Sequence, residues 1–139
     1  MPKYYTVKKR FEFDYAHCLS LPYESKCTNI HGHTGVLIVK IRTLNLNDEG
    51  MVIDFTHLKR ILQPEIDKFD HSFVMSTSNV EDNISLPGQK ITYFQYPNST
   101  AEYFADYFYK VVSKAFGDKY DVQVEFFETP DNSACCGDW

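Results

Sequence analysis

The stretch Cys27-Thr28-Asn29-Ile30-His31-Gly32-His33 sets a thiol four residues ahead of two imidazoles spaced i and i+2. In an extended backbone, side chains two residues apart leave the same face. His31 and His33 can therefore approach one metal ion from one side, with Gly32 leaving room between them. A catalytic zinc site typically has three protein ligands and one open position. The stretch thus calls for a third ligand elsewhere and for groups able to work at the open position.

Both flanks read as strands. In residues 3 to 17, Val7, Phe11, Phe13, Tyr15 and His17 share one parity and Lys8, Arg10, Glu12 and Asp14 the other, the alternation of a sheet with one wet face. From about Thr34 to Leu44, Leu37, Val39 and Ile41 continue the parity of His31 and His33, whereas Lys40 and Arg42 lie opposite. If these strands are neighbours, His17 joins His31 and His33 on one face as the third ligand. Cys27 then has two open readings: a fourth ligand closing a structural site, or a thiol facing the open position without touching the metal.

Further out, Asn45 to Gly50 is a polar connection and Asp54 an N-cap for a helix running to about Lys68, with Leu58, Ile61, Leu62 and Ile66 as its buried stripe. Pro64 is expected to bend or interrupt it. Residues 76 to 98 surround the β-like run Ile91 to Phe94, and such length predicts a small hairpin or a packed excursion rather than a bare loop. A second helix begins near Ser99 and runs to Phe116, stopped by Gly117. The last strand, Val122 to Thr129, carries Glu128 on the parity of Val122, Val124 and Phe126. The order implies one α+β domain over residues 1–139, with helices on one face of an antiparallel sheet.

Bulk properties narrow the function. The 139 residues are 43% hydrophobic, 24% charged and 16% aromatic, which is globular, and the net charge of −5 without a Lys/Arg run argues against nucleic acid or a membrane surface as partner. No apolar run approaches the roughly 18 residues of a membrane span, and the N-terminal residues lack the apolar core of a signal peptide, so a cytoplasmic protein is expected. Cys18, Cys27, Cys135 and Cys136 show no paired spacing, which favours reduced thiols.

Several candidates carry two readings each. Asp70-His71 is a helix C-terminal histidine beside a solvated aspartate, or an acid/base relay in which Asp70 orients the imidazole. Ser99 and Glu102 form an S-x-x-E capping box, leaving the Thr100 hydroxyl for a ligand. Lys26 is the candidate contact for an anionic group. His57 reads as a surface residue, and Cys18, Cys135 and Cys136 as packing or tail thiols.

Taken in order, Phe13-x-x-Ala16-His17, Cys27-x-x-x-His31-Gly32-His33, Val52-Ile53-Asp54-Phe55-x-x-Leu58-Lys59, Phe69-Asp70-His71, Ser99-Thr100-Ala101-Glu102 and Glu128-Thr129 resemble the 6-pyruvoyltetrahydropterin and 6-carboxytetrahydropterin synthase family. The resemblance implies the T-fold, two helices on a four-stranded antiparallel sheet, with three subunits joined as a barrel and two trimers stacked as a homohexamer whose active sites lie between subunits. It implies a Zn²⁺ triad of His17, His31 and His33, a catalytic Cys27, and Asp70 with His71 as its partners from a neighbouring subunit. Glu128 resembles the carboxylate that anchors the pterin ring, with Thr100 and Glu102 as secondary contacts. The short C-x-x-x-H-G-H spacing resembles the carboxy synthases of the queuosine (7-deazaguanine) pathway, acting on 7,8-dihydroneopterin triphosphate. The alternatives are a pyruvoyl synthase on the same substrate and a non-enzymatic zinc-stabilised interaction module.

Overall fold

The two alternating stretches form the centre of one sheet in the computed structural model, which describes residues 1–139. Strand β1 (Tyr5–His17) pairs antiparallel with β2 (His31–Thr43) along its whole length, from Tyr5 opposite Thr43 to His17 opposite His31. Their apolar parity is buried and their charged parity is not. Helix α1 (Phe55–Phe69) starts at the Asp54 cap, whose carboxylate accepts from Thr56 N at 2.8 Å, and buries Leu58, Leu62, Ile66 and Phe69. It continues through Pro64, so the expected interruption does not occur. The helical φ that proline already holds fits there, and the bond it cannot donate lies on an exposed side.

The sheet has six strands where four were expected, in the order β4-β3-β1-β2-β5-β6. Beyond α1, β3 (Ser72–Ser76) lies parallel to β1, and after the short helix α2 (Thr77–Glu81), β4 (Ile91–Phe94) lies parallel to β3. The sheet is therefore mixed rather than antiparallel throughout. Residues 76 to 98 are the packed excursion rather than a hairpin. The run Phe73 to Ser76 is buried on both faces, which erased the alternation that marks a half-wet strand.

Helix α3 (Ala101–Phe116) leads into β5 (Asp121–Thr129), antiparallel to β2, and β6 (Asn132–Gly137) turns back along β5. This strand lies beyond Thr129, where the sequence pattern ends the last strand; of its two cysteines, Cys136 packs against the core and Cys135 is exposed. Helices α1 and α3 cover one face, as expected. Between them and the sheet, Phe13 meets Tyr15, Phe69, Phe104, Phe108 and Phe126 with ring centroids 5.5 to 6.1 Å apart.

Gly35 on β2 allows this aromatic packing. A Cβ there would lie 2.7 Å from Phe126 Cζ and 3.0 Å from Tyr15 Cε1, too close for either fully buried ring to remain in place. Gly35→Ala is expected to lower stability by about 1–3 kcal/mol, the usual penalty of overpacking, measured by urea denaturation. An unchanged midpoint would contradict this packing.

Candidate functional site

The register of β1 and β2 builds the site. His17 closes β1 opposite His31, and Tyr15 stands opposite His33, so all three imidazoles meet at one sheet end, with ring centroids 4.6 to 5.1 Å apart. Gly32 does not separate them as expected. Its parity places it on the other face, where a Cβ would make ordinary contact, 3.4 Å from Tyr15 O. The excursion braces the turn after His17: Asn98 and Ser20 exchange two hydrogen bonds, and Asn79 Nδ2 donates to Cys18 O at 3.3 Å.

Outer hydrogen bonds fix the tautomers. His17 Nδ1 lies 2.9 Å from Ser99 O, and His31 Nδ1 lies 2.7 Å from Asn29 O. A carbonyl only accepts, so each Nδ1 carries the proton and each neutral ring turns its Nε2 lone pair inward. The two Nε2 atoms then face one another at 3.1 Å, lone pair against lone pair. His33 Nε2 is 2.9 Å from Glu128 Oε1 but outside hydrogen-bond geometry, and this buried atom has no other partner. Glu128 Oε1 is also 3.9 Å from His17 Nε2. A divalent cation among the three Nε2 atoms would relieve the His17–His31 contact and give His33 Nε2 a partner. Two nitrogens on a tetrahedral zinc stand roughly 3.3 Å apart, close to the spacing present here. The fourth member of the cluster is Glu128 rather than Cys27.

Burial, followed by the charge of His31, holds the His17 pKa down at about 4, although its bond to Ser99 acts the other way. Burial likewise lowers that of His33, against the pull of Glu128. Both shifts favour the neutral ring that a metal requires.

The Asp70-His71 pair is built. Asp70 Oδ1 accepts from the Asp14 backbone N–H at 2.9 Å and Oδ2 lies 2.9 Å from His71 Nδ1. The Asp14 N–H is the largest influence holding the Asp70 carboxyl below its ordinary range, with His71 adding to it. His71 has a left-handed φ of 56° and donates its own N–H to Asp14 O at 2.6 Å. Its side chain is 76% exposed. A cavity of about 750 Å³ is lined by both His33 and His71, with Thr34, Gln89 and Lys90 among the other walls. A second, of about 800 Å³, runs from His33 and Glu128 past Thr129 to Lys8, Arg10 and Lys40.

Other candidates are placed as follows. Cys27 is half-buried on the 3₁₀ turn Lys26–Thr28, its carbonyl accepting from Leu19 N at 2.7 Å. Lys26 is exposed and lines neither cavity. His57 is exposed as expected. The Ser99/Glu102 capping box is corrected: Thr100 caps α3 by accepting from Tyr103 N at 3.3 Å, and Glu102 is an exposed residue of the first turn. Ser99 is fully buried, and its carbonyl and hydroxyl serve His17 Nδ1. Sequence reasoning missed this role, although two cap-type residues in tandem leave only one for the helix.

Fold and site together define a T-fold protein whose histidine cluster is suited to a divalent metal. The chain belongs to the 6-pyruvoyl tetrahydropterin synthase family, whose model matches residues 6–138. It is 35% identical over 129 residues to the 6-carboxy-5,6,7,8-tetrahydropterin synthase of Rickettsia felis, and 32% identical over 129 residues to that of Rickettsia bellii; each alignment covers 88% of this chain and 92% of the relative. The 6-pyruvoyl tetrahydropterin synthase structure from Plasmodium falciparum superposes with a TM-score of 0.82 at 21% identity, covering 98% of both chains, and so shares the fold. No helix is long and apolar enough to cross a membrane.

A pH dependence follows from the depressed imidazoles. Between about pH 4 and the ordinary histidine value near 6.5, the unfolded chain binds more protons than the folded one, so stability rises with pH. Metal-free protein is expected to lose about 3 kcal/mol through His17 as pH falls across that window. Guanidinium melts after chelation test this; a flat profile from pH 6.5 to 4 would contradict a neutral, buried His17.

Proposed function

We propose that the protein is a zinc-dependent 6-carboxytetrahydropterin synthase, converting 7,8-dihydroneopterin triphosphate and water to 6-carboxytetrahydropterin, acetaldehyde and triphosphate, as a carbon–carbon lyase of queuosine biosynthesis. The observation that carries the reading is the convergence of the Nε2 atoms of His17, His31 and His33 at one sheet end, with those of His17 and His31 turned inward as lone pairs, in a chain whose relatives bear that enzyme's name.

Zinc held by the three histidines would supply a Lewis acid to the oxygens of the substrate side chain, easing loss of their protons. Glu128, at the end of β5, would accept hydrogen bonds from the N–H groups of the pterin ring and fix which side-chain carbon is presented, with Thr100 and Glu102 as secondary contacts. Cys27 would take a proton at the side-chain carbons. His71, oriented by Asp70, would return one, and its exposed ring suits a proton carrier. Triphosphate leaves as the carbon–oxygen bond breaks, and cleavage of the side-chain carbon–carbon bond releases the two-carbon aldehyde. Lys90 lines the cavity shared by His33 and His71, and in place of Lys26 it would meet the triphosphate with the ammonium proton not given to Asp67 O and Asp70 O. A cytoplasmic homohexamer of single T-fold domains, with sites between subunits, completes the proposal.

The pyruvoyl synthase reading has support of its own in the description of the matching family and in the names of its structural neighbours. It keeps every side-chain carbon. Incubation with substrate and mass spectrometry of the volatile product separates the two: acetaldehyde in step with triphosphate is expected, and triphosphate without acetaldehyde would move the assignment to the pyruvoyl enzyme. Cys27→Ala is expected to retain one zinc per chain and to lose turnover by about 10²–10⁴-fold, the range of general acid–base catalysis. Full turnover in that variant would remove Cys27 from the chemistry.

A further inference from the structure

Tyr15 is buried between the histidines and the aromatic core, 4% exposed, with its ring 5.1 Å from that of His17 and 5.6 Å from that of His33. Its hydroxyl is buried and has no hydrogen-bond partner. A phenylalanine would pack there without an unpaired donor, so the oxygen needs an explanation other than packing. Its surroundings supply one. Tyr15 stands opposite His33 on β2, and its ring lies over Gly35, where a Cβ would be 3.0 Å from Tyr15 Cε1. Val36 pairs with Phe127, so the next position along the two strands sets Gly35 level with Glu128. Tyr15, His33 and Glu128 therefore share one sheet end, where Glu128 Oε1 lies 2.9 Å from His33 Nε2.

We propose that Tyr15 is a positioning residue for Glu128: with His33 Nε2 engaged by a divalent cation, the Glu128 carboxylate would accept a hydrogen bond from the Tyr15 hydroxyl and be held in the orientation that receives the pterin ring. A phenol is protonated at neutral pH and donates; a carboxylate accepts. One oxygen of Glu128 is thereby engaged while the other faces the ligand. The buried hydroxyl makes no hydrogen bond to the rest of the chain, so its removal costs the fold no bond. This rests on the pterin-anchoring role proposed for Glu128.

The test compares Tyr15→Phe with wild type in three measurements: melting of the chelated protein, zinc affinity by chelator competition, and calorimetric binding of 7,8-dihydroneopterin to the zinc-loaded protein. An unchanged or higher melting temperature, zinc affinity within about twofold and pterin affinity weakened about 5–20-fold are expected, the last equivalent to a charge-assisted hydrogen bond. In a Glu128→Ala background, Tyr15→Phe is expected to weaken binding no further. Unchanged pterin affinity in Tyr15→Phe, or an equal loss in both backgrounds, would overturn the proposal. So would a lower melting temperature, since it would show that the hydroxyl already has a structural partner. Glu128→Ala alone binding the pterin as tightly as wild type would instead remove the anchoring role on which the proposal stands.

Discussion

Two carbonyl oxygens, Ser99 O and Asn29 O, decide which nitrogen of His17 and His31 carries the proton, and the site depends on that choice. With Nδ1 protonated on both rings, two Nε2 lone pairs are forced together at 3.1 Å, an arrangement that is repulsive in isolation and favourable around a cation. Each carbonyl is held by the chain immediately beside it. Ser99 directly precedes the Thr100 cap of α3, so the helix start sets its place. Asn29 ends the 3₁₀ turn that also carries Cys27. The metal geometry and the position of the thiol are therefore set by the same short turn.

The excursion over residues 76 to 98 belongs to this support. Asn98 and Asn79 hold the chain just beyond His17, while Lys90 donates to the carbonyls of Asp67 and Asp70 at 2.7 and 2.8 Å at the end of α1. Thr92 reaches Lys68 O in the same way. The segment thus braces the histidine cluster on one side and the Asp70-His71 turn on the other. Hydrogen bonds to the Asp14 backbone join that turn to β1, three residues before His17. Within the chain, the histidine cluster and the Asp70-His71 turn are therefore tied to the same strand.

The sequence made the centre of this architecture legible because β1, β2 and β5 each have one dry and one wet face, and parity reads such strands directly. That placed His17, His31 and His33 together and Glu128 on their side. Asp54 as a cap was equally plain. Strand β3 was hidden by burial on both faces, and β6 by its short, exposed, cysteine-bearing sequence. The roles of Ser99 and Asn29 were hidden for another reason: backbone carbonyls act there, and no side-chain pattern announces them. Tyr15 read as an ordinary core aromatic because the missing partner of its hydroxyl is visible only once its neighbours are in place. Gly32 shows how a motif can mislead, since its position between two ligands in sequence is not a position between them in space.

X-ray absorption at the zinc edge of the zinc-loaded protein tests the central claim most directly. Three nitrogen scatterers at about 2.0–2.1 Å with one light oxygen, and no sulfur, are predicted for a triad that leaves Cys27 free to act on substrate. A sulfur shell at about 2.3 Å would place Cys27 on the metal, close the site and contradict the account.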